Sequence, residues 1–347
     1  MEKITFTCET ITPMFLAGAD GITPELRAPS IKGALRFWWR AVNGHLSLKE
    51  LKEREAEIFG GTGNRSKVVI SVQHEAINFS VEKFKQFFET YKGHSNQQVR
   101  RESFRTNAMY YMGYGVANYV KEKRKTEFVR PYIPAGFKFT IICRLKSSVV
   151  NDFLQAFKLL EKHGGLGSKS RNGYGNFKII DATHIGKKIE SIRIDLDSLF
   201  SGKLKSFSTF SEKSSLFETK NSSYSSWELA FKNVAIAYQY AREKIEKWHN
   251  WDKRELIAFP IIVKGEREME DNNLERHSKP YFMHISQTTD GYKGEILFLP
   301  YEYLKGAPDQ SEQQIKDIRN TYFKVLDDFN ELLSKKLVPL RISKLSK

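Results

Sequence analysis

The sequence predicts an α+β chain of two ferredoxin-like (RRM-like) domains carrying insertions. Three observations lead there. A chain of 347 residues that is 40% hydrophobic is long enough for two cores and too apolar for overall disorder. Residues 1–190 read strand, helix, strand, strand, helix, strand once an insertion at about 76–130 is set aside. Residues 191–347 can be laid out in the same order, although no sequence identity between the halves is visible.

Residues 2–17 read as the first strand, Ile4, Phe6, Cys8 and Thr10 alternating with more polar neighbours before Pro13. The turn-rich GADGITPELRAP leads to Ser30 as an N-cap for a helix from Ile31 to Asn43, which stops at Gly44. A second helical segment follows at 47–59 and ends at Phe59-Gly60-Gly61. Residues 67–75 are a β-branched strand. The insertion holds a helical piece near 81–91, then a basic, tyrosine-rich stretch expected on a binding face. Strand 134–146, helix 151–163 with Phe153, Phe157 and Leu160 on one face, and strand 176–184 complete the unit.

In the second half, 191–197 is expected as the first strand. Residues 201–226 hold ten serines and read as a linker or mobile loop. Helix 226–248 carries Trp227, Phe231, Val234, Tyr238, Ala241 and Ile245 on one stripe. Strand 256–264, a hairpin of 280–288 with 292–300 across Asp290-Gly291, helix 310–334 and a short strand at 337–342 follow.

Charge gives the first functional clue. Fifty-six Lys and Arg against 41 Asp and Glu leave a net charge of +15, and the pI is near 9.5. Clustered, such an excess is the electrostatic footprint of nucleic-acid binding; dispersed, it only keeps a surface soluble. Cys8 and Cys143 are far apart, and there is no CxxC or HExxH, so no metal or other cofactor is expected. The N-terminus lacks the apolar run of a signal peptide, and no segment approaches 18 uninterrupted apolar residues. The expectation is a cytoplasmic protein without a membrane partner.

Helix 31–43 is the most informative element. Ile31, Ala34, Leu35, Trp38 and Val42 share one stripe, while Lys32, Arg36 and Arg40 lie on another face. Gly33 borders the basic face. Trp39, at its junction with the apolar stripe, either stacks on a base or caps the edge of the core. No acidic residue occurs between 27 and 46, so these cations have no local counter-charge and suit a phosphate-tracking surface.

The second constellation is GGLGSKSRNGYG at 164–175. Glycines such as Gly165 and Gly167 permit positive φ and close approach of a ligand to the main chain. Ser168, Lys169, Ser170 and Arg171 then add hydroxyls and charge to exposed N–H groups, the makings of an anion cradle. Tyr174 either stacks or fills space beneath the loop. This is no Walker motif, and it follows a helix and precedes a strand, the reverse of a dinucleotide-binding context.

Together, ELRAPSIKGALRFWWRAVNG and GGLGSKSRNGYGNF resemble the two signatures of the RAMP superfamily of CRISPR-associated RNA-binding proteins. The first is similar to the Cmr-type version, that of the first-numbered Cmr subunits of type III-B effector complexes. Pro29, Ser30, Lys32, Gly33 and Arg36 form its core, extended by Phe37-Trp38-Trp39-Arg40. The resemblance is strong over about 1–185, and Arg276-His277-Ser278-Lys279-Pro280 weakly matches a later basic motif. It implies two ferredoxin-like domains and a non-catalytic end cap near the guide 3′ region. The partners implied are CRISPR guide RNA, target RNA and other Cmr subunits. It also implies RNA contacts by Arg27, Ser30, Lys32, Gly33, Arg36, Trp39, Arg40, Gly165, Gly167, Ser168, Lys169, Ser170, Arg171, Arg276 and Lys279.

The alternative is a metal-independent endoribonuclease, since some RAMP relatives cleave CRISPR repeats with a histidine near the early helix. His45 and His163 are the candidates here. Neither has an obvious orienting carboxylate nearby in sequence, and each also suits a helix C-terminus.

Overall fold

A computed structural model of the chain describes residues 1–21, 23–77, 111–120, 125–128, 130–189, 196–200, 202–246, 252–258, 279–302 and 311–341. The first unit comprises β1 (Glu2–Thr10), α1 (Ala28–Val42), α2 (Leu48–Phe59), β2 (Val68–His74), β3 (Ala117–Val120), β4 (Lys125–Phe128), β5 (Lys138–Leu145), α3 (Val150–His163), β6 (Phe177–His184) and β7 (Lys187–Lys188). Its main sheet runs β2-β5-β1-β6-β7, antiparallel throughout. That is the ferredoxin-like order, with α1 and α3 as the two crossovers. Ile4, Phe6 and Cys8 of the central strand face a fully buried core, where Phe6 stacks on Phe157 at 3.9 Å between ring centroids. Burying each such ring contributes roughly 1.5–3 kcal/mol.

α1 begins one turn before the expected start. Arg27 is its N-cap, without a side-chain hydrogen bond, and Pro29 stands in the first turn. Proline fits there because the first N–H groups of a helix have no intrahelical partner. Ser30 is therefore inside the helix. α2 does have the capping box: Ser47 accepts from the Glu50 N–H while the Glu50 carboxylate accepts from that of Ser47.

The second unit contains α4 (Leu196–Phe200), β8 (Ser215–Glu218), α5 (Trp227–Lys244), α6 (Asp252–Ile257), β9 (Tyr281–Thr288), β10 (Gly291–Phe298), α7 (Glu312–Ser334) and β11 (Val338–Arg341). Its sheet order, β11-β8-β10-β9, repeats the first unit's arrangement. Two expected strands are tested over only a few of their residues, and both meet helix there. The strand expected at 191–197 is a helix from Leu196 onward, and 190–195 lie outside the described residues. The strand expected at 256–264 starts on Leu256 and Ile257, which end α6, and 259–264 lie outside the described residues.

The serine-rich stretch is not a linker. It supplies β8, the first strand of the second sheet, and Thr209, Ser211, Ser214 and Ser215 are fully buried. Two of these hydroxyls bond the main chain. Thr209 Oγ1 donates to the Ala41 carbonyl at 2.6 Å, and Ser214 Oγ accepts from the Ser211 N–H at 3.0 Å. Small hydroxyl side chains that bond the main chain can be buried as cheaply as they can form a turn, so composition cannot separate the two.

Candidate nucleic-acid interface

The basic face of α1 has its counter-charge after all. Glu55 of α2 accepts from Arg36 Nε at 2.6 Å and from Arg40 Nη1 at 2.7 Å. Arg36 also donates to the Gly60 carbonyl, and Lys32 Nζ to Ser66 Oγ at 2.6 Å and the Val68 carbonyl at 3.3 Å. Burial, then Arg36, holds the Lys32 ammonium below its usual pKa. The three cations thus form an electrostatic seam joining α1 to α2 and the start of β2. Two positive charges remain in excess of the one carboxylate, and Arg36 and Arg40 stay 35% exposed.

Trp39 cannot stack on a base. It is 1% exposed, and its Nε1–H donates to Asp152 Oδ1 at 3.1 Å. Trp38 is buried as expected. Gly33, by contrast, is exposed in mid-helix, and a Cβ there would meet nothing within 4 Å. One turn further on, Phe37 touches the glycine-rich loop.

That loop is a clamp between the two units. The Arg171 carbonyl accepts from the Met283 N–H at 3.1 Å, beside a bridge between Asn172 and Met283 of β9. The Gly164 carbonyl accepts from Asn176 Nδ2 at 2.7 Å and from His284 Nδ1–H at 2.9 Å. Its glycines are spent on the chain's own close contacts. A Cβ on Gly175, at φ +70°, would lie 1.9 Å from the Leu166 carbonyl oxygen, and one on Gly167, at φ +88°, 2.5 Å from that of Phe15. Gly165 is equally confined, 2.8 Å from the Tyr174 carbonyl oxygen. Tyr174 is buried against Phe231. Ser168 donates through N–H and Oγ to the Phe15 carbonyl, and Ser170 is half-buried.

The loop's cations meet others from the second unit. The Arg171 guanidinium lies over the rings of Phe37 (5.3 Å) and Phe282 (4.5 Å), and its Nη1 donates to the Lys279 carbonyl at 2.8 Å. Lys279 Nζ stands 4.5 Å over the Tyr238 ring. Burial first, then Arg242, Arg171 and Lys169, pushes the Lys279 ammonium well below its ordinary pKa. Lys169, at φ +63°, is lowered by burial and by Arg130. Among the described residues, none of Lys169, Arg171, Arg242 and Lys279 has a carboxylate partner. Arg242, one turn after Tyr238 on α5, is a site residue that sequence reasoning misses, because a single arginine near the end of an amphipathic helix carries no local signal. Arg276 lies outside the described residues.

The two histidines part ways. His45 is exposed beyond α1. His163 is 1% exposed, and its Nδ1 meets Glu295 Oε1 of β10 at 2.5 Å. The orienting carboxylate exists, but it closes a buried unit-to-unit contact that a 2′-hydroxyl does not reach. Among the described residues there is no group of three or more His, Cys, Asp or Glu able to hold a metal, and no helix long and apolar enough to cross a membrane.

Residues 7–178 match the family model of the RAMP superfamily. The chain is 29% identical over 200 residues to the CRISPR system Cmr subunit Cmr1-2 of Pyrococcus furiosus, covering 52% of this chain and 96% of that protein. With Cmr1-1 of the same organism it shares 30% identity over 164 residues, which span 46% of this chain and 42% of that one. Among solved structures, the apo crystal structure of P. furiosus Cmr1 aligns with a TM-score of 0.58 at 21% identity, covering 98% of both chains. A chain of the type III-B Cmr-beta complex bound to cognate target RNA aligns at 0.51 and 11% identity, covering 96% of this chain and 99% of that one. At these identities the structural matches establish the shared fold.

Proposed function

Because this chain belongs to the RAMP superfamily, we propose that it is an RNA-binding, non-catalytic subunit of a type III-B CRISPR (Cmr) effector complex. In that role it contacts guide and target RNA near the guide 3′ end, beside other Cmr subunits. The observation that carries the reading is the group of four cations, Lys169, Arg171, Arg242 and Lys279, gathered at the junction of the two units without a carboxylate partner among the described residues. Like charges brought together and partly stripped of water repel one another, and an anion bound among them relieves that repulsion. A phosphodiester supplies the charge and the acceptor oxygens. The partly exposed first turns of α1, around Arg27, Ser30 and Gly33, extend the same surface by way of Phe37.

The relatives add independent support, since two Cmr1 proteins are similar in sequence and a complex holding target RNA contains a chain of this fold. The test is a titration of single-stranded RNA across salt concentrations. Removing one cation that meets a phosphate lowers the slope of log K against log salt by about 0.7 for a single strand. Lys169→Ala and Arg242→Ala should each weaken binding and reduce that slope. Slopes equal to that of the parent protein would remove the junction from the RNA-binding surface. Incubation of the same RNA should leave it intact.

A further inference from the structure

The basic insertion returns to the described structure at Tyr111, and there it meets the glycine-rich loop. Asn172 Nδ2 donates to the Met112 carbonyl at 2.7 Å. Met112 and Val116 are each 2% exposed and belong to the second unit's core, so this short segment is anchored at two points. Tyr111, just before the first anchor, and Tyr114, between the two, point outward, 41% and 43% exposed. They are the only Phe, Tyr or Trp side chains so exposed among those whose exposure the structure describes. Twenty-five Phe, 15 Tyr and 5 Trp occur in the chain, so two open tyrosines three residues apart are conspicuous.

Their setting is cationic. Tyr111 lies within electrostatic reach of the Arg242 guanidinium. A Cβ on Gly115, whose φ is +89°, would stand 3.7 Å from Lys169 Nζ. Gly113 and Gly115 flank Tyr114 without side chains of their own, which leaves the ring open to a flat partner. Planar aromatic faces beside a phosphate-binding groove are how single-stranded nucleic acid is held, because every base offers a π-face. A protein partner would equally favour exposed tyrosine. The uncompensated cations on either side favour the polyanion.

We infer that Tyr111 and Tyr114 are base-stacking residues, holding unpaired bases of a single-stranded RNA whose phosphates lie on Lys169, Arg171, Arg242 and Lys279. This rests on the RNA-binding function proposed above and adds that bases, not phosphates alone, are gripped at the end of the insertion.

The experiment uses the full chain and two oligoribonucleotides of equal length, one ordinary and one carrying abasic ribose throughout its central segment. Tyr111→Ala and Tyr114→Ala should each weaken binding of the ordinary RNA roughly five- to hundredfold. The slope against log salt should not change, since every cation that meets a phosphate remains in place. Phenylalanine at either position should restore most of the affinity, and the abasic RNA should bind parent and alanine variants alike. Alanine variants that bind ordinary RNA as the parent does would overturn the inference while leaving the proposed function standing. So would an equal loss on both RNAs. A parent protein that binds neither RNA at low salt would overturn both. Each side chain is exposed, so a loss of fold does not stand in for a loss of stacking.

Discussion

Gly33→Ala separates stability from binding at a single atom. Gly33 is exposed inside α1 with helical backbone, and an added Cβ meets nothing within 4 Å. Replacing glycine by alanine in a helix interior gains about 0.8–1 kcal/mol. For a unit of this size that corresponds to a rise in melting temperature of roughly 2–4 °C. A protein selected only for stability has no reason to keep glycine there. An RNA backbone crossing α1 toward Phe37 and Arg171 does supply one, since it needs the main chain bare. A methyl group at that point holds a passing phosphate farther from the part-exposed Arg36 guanidinium one turn on and weakens a charge-assisted hydrogen bond to it worth roughly 1.5–3 kcal/mol, about a ten- to hundredfold loss. Thermal melting without RNA and an RNA titration at one salt concentration measure the two effects separately. The expected result is a more stable protein that binds worse. A more stable protein that binds equally well would show that nothing approaches α1 at Gly33.

Other expectations follow from the same contacts. Trp39→Phe should cost roughly 3 kcal/mol through the missing bond to Asp152 and the residual cavity, while the folded variant binds RNA normally; denaturant melts and the titration check both halves. Gly175→Ala should prevent folding or cost several times more than Gly136→Ala, because only the former places a Cβ 1.9 Å from a carbonyl oxygen although both have positive φ; soluble yield and melting temperature compare them. Burial, opposed by Glu295 and the Gly164 carbonyl, holds the His284 imidazole below 6.5. The unfolded chain therefore takes up that proton first, and stability should fall as pH drops below about 6.5. Burial pushes the Glu295 carboxyl up, but His163 and then His284 outweigh it and hold it below 4.5, so a further loss should begin below about pH 4.5. Melting temperature against pH should show both losses, with His284→Gln removing the upper one.

The sequence by itself carried the elements whose signals are local. The alternation of Ile4, Phe6 and Cys8, the stripe Ile31-Leu35-Trp38 and the Asp290-Gly291 turn each follow from side-chain period or turn chemistry within about a dozen residues. Both pairs of crossover helices, and so the α+β class, were legible that way. The two family signatures also marked α1 and the glycine-rich loop as the segments that matter.

What tertiary structure decided is which partners those segments meet. Arg36 and Arg40 looked unpaired because their carboxylate, Glu55, sits on the next helix, beyond the reach of i,i+4 reasoning. The loop glycines looked open to a ligand, yet Gly167 and Gly175 are closed by Phe15 and Leu166 of the same chain. The serine-rich stretch 201–226 signalled a linker, yet it holds the strand β8 and buries Ser211, Ser214 and Ser215, since hydroxyls bonded to the main chain cost little to bury. Lys169, Arg171, Arg242 and Lys279, with Tyr111 beside them, are drawn from four separate stretches of chain. Charge composition announces an excess of cations but not its location. Only the meeting of two sheets at one loop concentrates it in a single place.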